Sequence, residues 1–567
     1  MVDQSHAVHR RILRSSFLLL CLLTGCRWIT FLEGNTTTDP ASKKFVRTQG
    51  RQLVIGVDDQ PIRLRGVNFT NFYWWDDRDA LFDGRHHDAA DYRRVADLGM
   101  NAVRLMLSYR MFEYDESPGE YLEAGWQWLD REIAAARANG LYLILDMQLA
   151  PGGQQGGGSE ASALWDEPTN QARLVALWRA IAQRYRDEPV VAAYDLLNEP
   201  SPYAPGGRWF ELVDELVETI REVDPYHLII AERVITFLDD DSAAEIPANA
   251  LRPIDDANVM YDFHFYHPMA YTHQYIDSED FGVLPEGGPY PNADAIFGPY
   301  DLEYTGESSA PDLPAGDRDW TYVESPPFTP AQADVIAMGL AFATSHPGGT
   351  ISLDDYVIKE CASGDAPERI IATGDLGSLS GWTLWSDDGT AALEKNDAGH
   401  EDDDCLTLQA GQTVASLSNF KIRFACTSGR TYAVGGWIKT TGLDAAAAGG
   451  FTLHFFRSAN GREIQRYNRQ GFEREIARWV AFGKEHDVPM NVGEFGLASA
   501  CYENDRGGAA WVADLLELFD VYDLNFTFFS YRGPFGLHPI ETEDGPPDPQ
   551  TANEDLLNLF RDYFQLD

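Results

Sequence analysis

Short apolar segments alternate with amphipathic helical segments along most of this chain, and this alternation constrains the fold more than any other feature. The apolar segments predict eight strands, at 62–68, 101–107, 141–147, 191–197, 227–232, 258–265, 489–494 and 525–531. Between them, apolar residues recur at helical spacing, as in EAGWQWLDREIAAARANG and FEREIARWVAFGKEHDVP. Such units predict an α/β fold, the (β/α)8 TIM barrel, whose functional face lies at the carboxyl ends of the strands.

The sixth and seventh predicted strands are separated by about two hundred residues, whereas a βα loop usually has about 2–6. Within this stretch, DVIAMGLAFATS alternates large and small residues with the period of a strand. Further strand-like segments are TISLDDYVIKE, CLTLQA, NFKIRFAC, TYAVGGWIKT and FTLHFF. We therefore predict that residues 269–465 form an inserted all-β sandwich, of jelly-roll type, that interrupts the barrel.

The amino terminus has the pattern of an export signal. Basic residues at 9–14 precede an apolar run at 17–23, and Leu23-Thr24-Gly25-Cys26 resembles a lipobox. We predict that residues 1–26 are a signal peptide of lipoprotein type and that residues 27–44 are a tether. Cys26 would then be lipidated, placing the protein on the outer membrane or outside the cell. Ordinary signal cleavage nearby is the alternative.

The net charge of −45 argues against nucleic acid or an anionic membrane surface as a partner, because phosphate binding requires clustered Lys and Arg. A neutral ligand fits this charge better. Downstream of the predicted signal lie four cysteines without the spacing of a zinc or redox motif: Cys361, Cys405, Cys426 and Cys501. Their pairing and the oligomeric state are left open.

Two glutamates follow predicted strands of the barrel. In VVAAYDLLNEP, Asn198 and Glu199 end the fourth strand, and in MNVGEFG, Glu494 ends the seventh. Parallel strands bring both carboxylates to the same face of the barrel. Two carboxylates on one face are what the retaining hydrolysis of a glycoside requires.

These two motifs occur together with the segments NAVRL and HFYHP, in an order and on strands that resemble glycoside hydrolase family 5. The resemblance covers residues 45–268 and 466–567, which we predict to be the two parts of a catalytic barrel. The insertion resembles a carbohydrate-binding module of the family 4 and 9 type in permuted order, with GSLSGWTLWS after GGTISLDDYVIKE. Insertions succeed where the termini of a domain lie close together.

The resemblance implies a role for each residue of these motifs. Glu199 corresponds to the acid/base and Glu494 to the nucleophile, which attacks the anomeric carbon as a carboxylate. Asn198 corresponds to the residue that binds the sugar 2-hydroxyl. Arg104 corresponds to the residue that orients Glu494, and we expect its guanidinium to lower the pKa of that carboxyl.

The segment YDFHFYHP supplies His264 and Tyr266, which the resemblance places beside the acid/base and the nucleophile. Two positions depart from the family pattern. Gln148 stands where a histidine is usual, and Phe529 stands where a tryptophan usually forms the floor of the sugar site. We expect both changes to affect which substrate is bound more than which reaction is catalysed, because both glutamates are retained.

Several aromatic residues on predicted loops are candidates for stacking on sugar rings: Trp74, Trp75, Trp165, Tyr203 and Trp209, with Trp382, Trp385 and Trp437 in the insertion. Packing in the core is the competing interpretation for each tryptophan of the insertion. His264, His267 and His273 do not have the spacing of a zinc site, so we predict no metal and no cofactor.

The sequence thus predicts a retaining endo-β-glycanase that acts on a neutral β-linked polysaccharide, with β-1,4-glucan as the first candidate. One alternative is an exo-acting or transglycosylating β-glucanase or β-mannanase of the same family. Another is a catalytically impaired carbohydrate-binding surface protein, which the changes at Gln148 and Phe529 favour.

Overall fold

The protein is described here from a computed structural model. The structure describes residues 44–565 except 71–81, 83–86, 154–162, 203–206, 236–249, 276, 279–281, 284–286, 299–301, 310–312, 314–315, 346–347, 363–366, 380, 401–403, 410–413, 445–446 and 539–551. All described residues belong to one compact unit, Pro40–Asp567. The predicted signal peptide with Cys26 and nearly all of the tether lie outside the described residues, as do Trp74, Trp75 and Tyr203.

Eight parallel strands close into a barrel, as the sequence predicts. In chain order they are β1 Arg65–Phe69, β2 Ala102–Ser108, β3 Tyr142–Leu149, β4 Val191–Asp195, β5 Leu228–Glu232, β6 Val259–Phe265, β7 Met490–Phe495 and β8 Asn525–Phe528. Each strand pairs with the next, and β8 pairs with β1 to close the sheet. The prediction of a (β/α)8 barrel is therefore confirmed.

Helices lie between the barrel strands and cover the outside of the sheet. Their bounds are Ala89–Asp97, Glu123–Ala138, Ala163–Asp166, Pro168–Tyr185, Gly207–Arg221, Met269–Thr272, Arg469–His486, Gly508–Val521 and Glu554–Gln565, with 3-10 turns at Tyr109–Met111 and Ser499–Tyr502. In Glu123–Ala138 the residues at helical spacing, Trp126, Leu129, Ile133 and Ala136, are buried. Among the described residues, no helix is both long enough and apolar enough to cross a membrane.

A small antiparallel sheet precedes the barrel and closes its amino-terminal end. It consists of Arg47–Gln49, Gln52–Ile55 and Gln60–Ile62. Its residue Leu53 packs in one cluster with Ala102 and Ile144, which are buried on β2 and β3. The hairpin therefore plugs the end of the barrel opposite the functional face, and the first barrel strand begins after it, at Arg65.

Between β6 and β7 the chain forms two antiparallel sheets, as predicted. One sheet contains Asn292–Gly298, Leu302–Ser308, Val335–Ser345, Thr383–Ser386, Val414–Ala425, Ala448–Ser458 and Gln465–Tyr467. The other contains Arg318–Glu324, Thr350–Glu360, Arg369–Gly374, Ala392–Asn396, Cys405–Gln409 and Tyr432–Thr441. A separate short ribbon, Asp277–Ser278 with Gly282–Val283, precedes both.

The two sheets of the insertion share one apolar core. The ring of Tyr432, on one sheet, lies 6.2 Å from the ring of Phe455 on the other. Gly436 faces Phe451 so closely that an added Cβ would lie 2.4 Å from the ring. The segment Val335–Ser345, in which large and small residues alternate, is a strand, as this period predicts. A glycine is needed at position 436, where the two sheets approach each other closely.

The start of the insertion packs against the barrel beside the end of β6. Phe297 stacks on His267 with ring centroids 5.8 Å apart, and Tyr290 stacks on Phe472 at 5.1 Å. The Tyr290 hydroxyl also donates a hydrogen bond of 2.5 Å to Asp514. The inserted domain is therefore attached next to the strand that carries His264 and Tyr266.

The cysteines whose pairing the sequence left open carry free thiols: Cys361, Cys405, Cys426 and Cys501. Burial raises the pKa of the Cys426 and Cys501 thiols to about 12. These two thiols therefore stay protonated and unreactive at neutral pH.

Candidate active site

Glu199 and Glu494 meet at the carboxyl ends of the strands. Glu494 lies in β7, whereas Glu199 follows β4 in a left-handed backbone conformation with φ 45°. Their carboxylate oxygens and a ring nitrogen of His264 all lie within 4.8 Å of one another. The two glutamates therefore face the same small volume at the functional end of the barrel.

The buried guanidinium of Arg104, on β2, holds the floor of this site together. It lies 2.9 Å from Glu494 Oε1 and 3.1 Å from Asn198 Oδ1, with the nitrogens donating. Its other partners are Asn68, Asp146, Asp195 and Glu232. A planar fork with five N–H donors is suited to several acceptors at once, which a lysine is not.

Glu494 is held from two sides. Arg104 donates to Oε1 at 2.9 Å, and the Tyr266 hydroxyl donates to Oε2 at 2.8 Å. Burial nevertheless raises the pKa of Glu494 and Glu199 adds to this, while His264, Arg104 and Tyr266 oppose it. Arg104 thus lowers the pKa of Glu494, as expected, but the net pKa lies above the usual glutamate value because desolvation of the buried carboxylate outweighs the cation.

His264 lies between the two glutamates. Its Nδ1 is 2.9 Å from Glu199 Oε1 and 3.6 Å from Glu494 Oε2, and its Nε2 is 3.4 Å from Glu232 Oε1 and 3.7 Å from Asp262 Oδ1. Burial lowers the pKa of His264, but these carboxylates together raise it well above its usual value. The ring is therefore an imidazolium that donates to Glu199.

Below the glutamates lies a group of buried carboxyl groups that the sequence interpretation missed: Asp146, Asp195, Glu232 and Asp262. Burial raises the pKa of Asp195 to about 7 and raises that of Asp146 and Asp262 well above the usual aspartate value. Acidic residues inside otherwise apolar strands, as in VAAYD, LIIAE and VMYDFHF, are the signal that marks three of them.

Parts of the chain are similar to known proteins. Residues 56–286 match the family described as Cellulase (glycosyl hydrolase family 5). Endoglucanase C of Acetivibrio thermocellus is 33% identical over 213 residues, which cover 37% of this chain and 59% of that protein. The chain carries a glycosyl hydrolase family 5 domain.

Other relatives of the family 5 domain cover similar stretches. Cellodextrinase A of Ruminococcus flavefaciens is 30% identical over 184 residues, 32% of this chain and 52% of that protein. The chain thus spans between half and three-fifths of the length of these curated relatives. Among solved structures, Thermotoga maritima Cel5A in complex with mannotriose aligns with 92% of this chain and 100% of that chain, at 13% identity and a TM-score of 0.45.

The remaining predicted site residues of the family 5 domain lie around the glutamates. The backbone N–H of Asn198 donates to the Met147 carbonyl at 3.0 Å, which places Asn198 beside the end of β3. Gln148, the next residue of β3, is buried there. The ring of Phe529, just after β8, lies 6.2 Å from the ring of Tyr266.

Phe529 is part of an aromatic group that the sequence interpretation did not identify. The ring of Phe535 lies 5.8 Å from Phe529 and 6.0 Å from Tyr266. The ring of His273 completes the group, 5.3 Å from Tyr266 and 4.9 Å from Phe535. The apolar wall beside Glu494 is thus built from several smaller rings.

The tryptophans predicted to stack on sugars from the barrel loops do not all reach the surface. Trp165 and Trp209 are buried, with ring centroids 6.4 Å apart, and the Trp209 indole donates to the Glu232 carbonyl at 2.9 Å. These two residues are core residues, so that part of the prediction is wrong. Trp165 lies in the short helix Ala163–Asp166 and Trp209 in the first turn of Gly207–Arg221, so neither is on a loop.

The tryptophans of the insertion have different surroundings. Trp385 is 55% exposed, whereas Trp382 packs against the apolar core. His400 covers one face of Trp437, with centroids 3.6 Å apart and planes inclined by 15°. Of these three, Trp385 has the largest free surface for stacking.

Several groups of side chains in the described part of the chain bring oxygen and nitrogen atoms close enough to hold a cation: Glu199–His264–Glu494, Glu232–Asp262–His264, Asp146–Asp195–Glu232 and, in the insertion, Asp354–Asp355–Asp375. In the first two, the neighbouring carboxylates raise the pKa of His264 well above its usual value, and a protonated imidazole donates hydrogen bonds from both ring nitrogens. In the third, the guanidinium of Arg104 already supplies the positive charge.

Proposed function

We propose that the family 5 domain hydrolyses a β-glycosidic bond with retention of anomeric configuration. The supporting observation is the approach of the Glu199 and Glu494 carboxylate oxygens to within 4.8 Å. Retaining glycosidases have carboxyl groups about 5–5.5 Å apart, whereas inverting enzymes separate them by about 6.5–9.5 Å to admit a water molecule. The short separation favours direct attack on the sugar.

In the first step, a Glu494 carboxylate oxygen attacks the anomeric carbon and the bond from that carbon to the glycosidic oxygen breaks. The electron pair of the broken bond stays on the departing oxygen, which takes the proton of the Glu199 carboxyl. Tyr266 and Arg104 fix the two oxygens of Glu494, so the attacking lone pair has one direction. The product is a glycosyl ester of Glu494 and a shortened saccharide.

In the second step, a water molecule attacks the same carbon and its proton passes to the Glu199 carboxylate. The ester bond to Glu494 breaks and the carboxylate is restored. His264 lies within 3.6 Å of both glutamates, so its positive charge stabilises whichever of the two carboxylates is ionised at each step. Both groups return to their starting states.

The substrate class that we propose is a neutral β-linked polysaccharide, with β-1,4-glucan first and internal cleavage as the mode. The net charge of −45 disfavours an anionic polymer. The name Endoglucanase C supports internal cleavage of a glucan, whereas Cellodextrinase A and a probable glucan 1,3-beta-glucosidase of Aspergillus clavatus support the exo-acting alternative.

A substrate panel tests this proposal. Soluble β-1,4-glucan, β-mannan and β-1,3-glucan are incubated with the protein, reducing ends are counted, and product lengths are followed with time. Mixed oligomers at early times support endo cleavage, and a single short product supports the exo-acting alternative. Binding without any hydrolysis would refute the proposal in favour of a carbohydrate-binding protein.

The variant Glu494→Gln supplies the control. It replaces one carboxylate oxygen by an amide nitrogen and removes the nucleophile, so we expect turnover to disappear while the fold remains. Proton NMR of the first product formed by the wild type reports its anomeric configuration. Hydrolysis by Glu494→Gln at a near-wild-type rate, or an inverted first product, would contradict the mechanism.

We also propose that the chain is exported and anchored through a lipid on Cys26. The lipobox-like sequence before Cys26 supports this. Cells that express the wild type or Cys26→Ser are labelled with radioactive palmitate and fractionated. Label on both proteins, or on neither, would contradict a lipid at Cys26.

A further inference from the structure

The carboxylate of Glu232, at the end of β5, contacts each part of the acid/base apparatus. It is 1% exposed. Its Oε2 accepts the backbone N–H of Glu199 at 2.8 Å, and its Oε1 accepts Arg104 at 2.8 Å and lies 3.4 Å from His264 Nε2. Because these three hydrogen-bond and ion-pair partners are donors or cations, the position suits a side chain that only accepts.

The hydrogen bond from the backbone N–H of Glu199 to Glu232 stabilises an unfavourable backbone conformation. Glu199 has φ 45°, in the left-handed region, which is unfavourable for a residue with a side chain. Such a conformation persists only where the surrounding structure holds it. The direction of the Glu199 carboxyl depends on this backbone, because the side chain begins at the same Cα.

Glu232 is itself fixed. Its carbonyl accepts the Trp209 indole N–H at 2.9 Å, and β5 pairs with β6 through Glu232 and Asp262. Burial raises the pKa of Glu232, but His264 and Arg104 bring it below its usual value, so the group is ionised. It therefore offers both oxygens as acceptors.

We propose that Glu232 is a positioning residue that holds the backbone of Glu199 and so aims the acid/base at the glycosidic oxygen. This inference rests on the proposed function of Glu199. Glu232 contacts the backbone of Glu199 and the Nε2 of His264, and it acts through these two residues. The nucleophile Glu494 is held by Arg104 and Tyr266, and Glu232 contacts it only indirectly, through Arg104. Loss of Glu232 should therefore weaken protonation of the leaving group more than nucleophilic attack.

The test compares two substrates that differ in their need for an acid. Cellotetraose requires protonation of its leaving oxygen, whereas 2,4-dinitrophenyl β-cellobioside releases a stable anion without it. In Glu232→Gln the amide has one acceptor oxygen in place of two, so either Glu199 or Arg104 faces an NH2 group. We expect kcat/KM of this variant to fall at least about tenfold further on cellotetraose than on the dinitrophenyl substrate, since general acid catalysis contributes about 10²–10⁴-fold.

Equal losses on the two substrates, or no loss on either, would overturn the proposal. If Glu232→Gln does not fold, the same measurement is made on Glu232→Asp, which keeps two acceptor oxygens on a shorter side chain. It should also lose more activity on cellotetraose, and equal losses here would likewise count against the positioning role.

Asp262→Asn is the matched control. Asp262 is another buried carboxyl group near His264 Nε2, but it accepts from Asn491 and Gly493 on β7. Its replacement should lower the rates on both substrates by similar factors, because it disturbs the strand of the nucleophile. A selective loss equal to that of Glu232→Gln would show that any disturbance of the buried carboxyl groups, and not the contact with Glu199, is responsible, and would overturn the proposal.

Glu199→Gln separates failure of this inference from failure of the proposed function. It should retain activity on the dinitrophenyl substrate in the first step and lose it on cellotetraose. If the wild type cleaves neither substrate and none of the β-glycans of the panel, or if Glu199→Gln loses both substrates equally, the proposed function fails. If Glu199→Gln is selective and Glu232→Gln is not, only the role of Glu232 is refuted.

Discussion

The hydroxyl of Tyr266 donates a hydrogen bond of 2.8 Å to Oε2 of Glu494. Tyr266 follows β6 and Glu494 ends the neighbouring strand β7, so two adjacent parallel strands bring the donor and the acceptor together. The bond holds Oε2 of the carboxylate, whereas Arg104 donates to Oε1. It also stabilises the charged form of Glu494, which is the form that attacks.

Tyr266→Phe should weaken catalysis while preserving the fold. A hydrogen bond to a charged group contributes about 1.5–3 kcal/mol, which corresponds to a loss of roughly 10–100-fold in kcat/KM. The variant should also show a higher pKa for Glu494, because the Tyr266 hydroxyl lowers it. Steady-state kinetics across the pH range measure both effects. An unchanged rate and an unchanged acid limb would show that the bond has no role.

The pH profile of the wild type should have an acid limb above the range of an ordinary glutamate. Burial raises the pKa of Glu494, and the nucleophile must be deprotonated. Activity is therefore full above this raised pKa and falls as the pH drops through it. The measurement is kcat/KM on 2,4-dinitrophenyl β-cellobioside, where protonation of the leaving group does not limit the rate. A limb at or below the usual glutamate pKa would contradict the prediction.

Arg104→Met should destabilise the barrel strongly. The variant leaves Asp146, Asp195, Glu232 and Glu494 without their shared buried cation. Removing one partner of a buried ion pair is destabilising by about 3–5 kcal/mol, and urea denaturation measures the loss.

Arg179→Met is the control for that experiment. Arg179 pairs with Glu222 at 3.4 Å on the surface, where both side chains are exposed. We expect a change in unfolding free energy of less than about 1 kcal/mol. Similar losses of unfolding free energy in the two variants would mean that the burial of Arg104 does not increase its contribution to stability.

Gly436→Ala should destabilise the insertion without affecting the catalytic barrel. An added Cβ would lie 2.4 Å from both the Phe451 ring and the Asp355 carbonyl, so the two sheets would have to separate. Overpacking of this kind is destabilising by about 1–3 kcal/mol. Proteolysis of the insertion and kcat on a soluble substrate are measured together. Protease resistance equal to that of the wild type would contradict the close packing of the two sheets.

Local pattern was sufficient for much of the site because the barrel has parallel strands. Glu199 and Glu494 were predicted to share a face since each follows an apolar strand, and the carboxyl ends of such strands meet at one edge. His264 and Tyr266 are two positions apart and both point to the site, as the period of a strand requires. The all-β character of the insertion followed from the same periodicity.

The pattern was insufficient wherever burial decided the outcome. The loops suggested that Trp165 and Trp209 are exposed, yet both lie in the core, because side chains distant in sequence cover them. The sequence indicated that Arg104 lowers the pKa of Glu494, and it does. It did not show that removal of water from the carboxylate has the larger effect and raises the net pKa.

By itself the sequence determined the order of the strands, the length and class of the insertion, and the identity of the residues at the strand ends. These are local properties, set by hydrophobic periodicity and by covalent neighbours. Only the tertiary structure decided the distances between the carboxyl groups, the burial of Asp146, Asp195 and Asp262, and the contact of Glu232 with the backbone of Glu199. Each of these depends on groups that are remote in the chain and meet only when the barrel closes. Inside the closed barrel, removal of water shifts the pKa values of these carboxyl groups and so decides which are ionised.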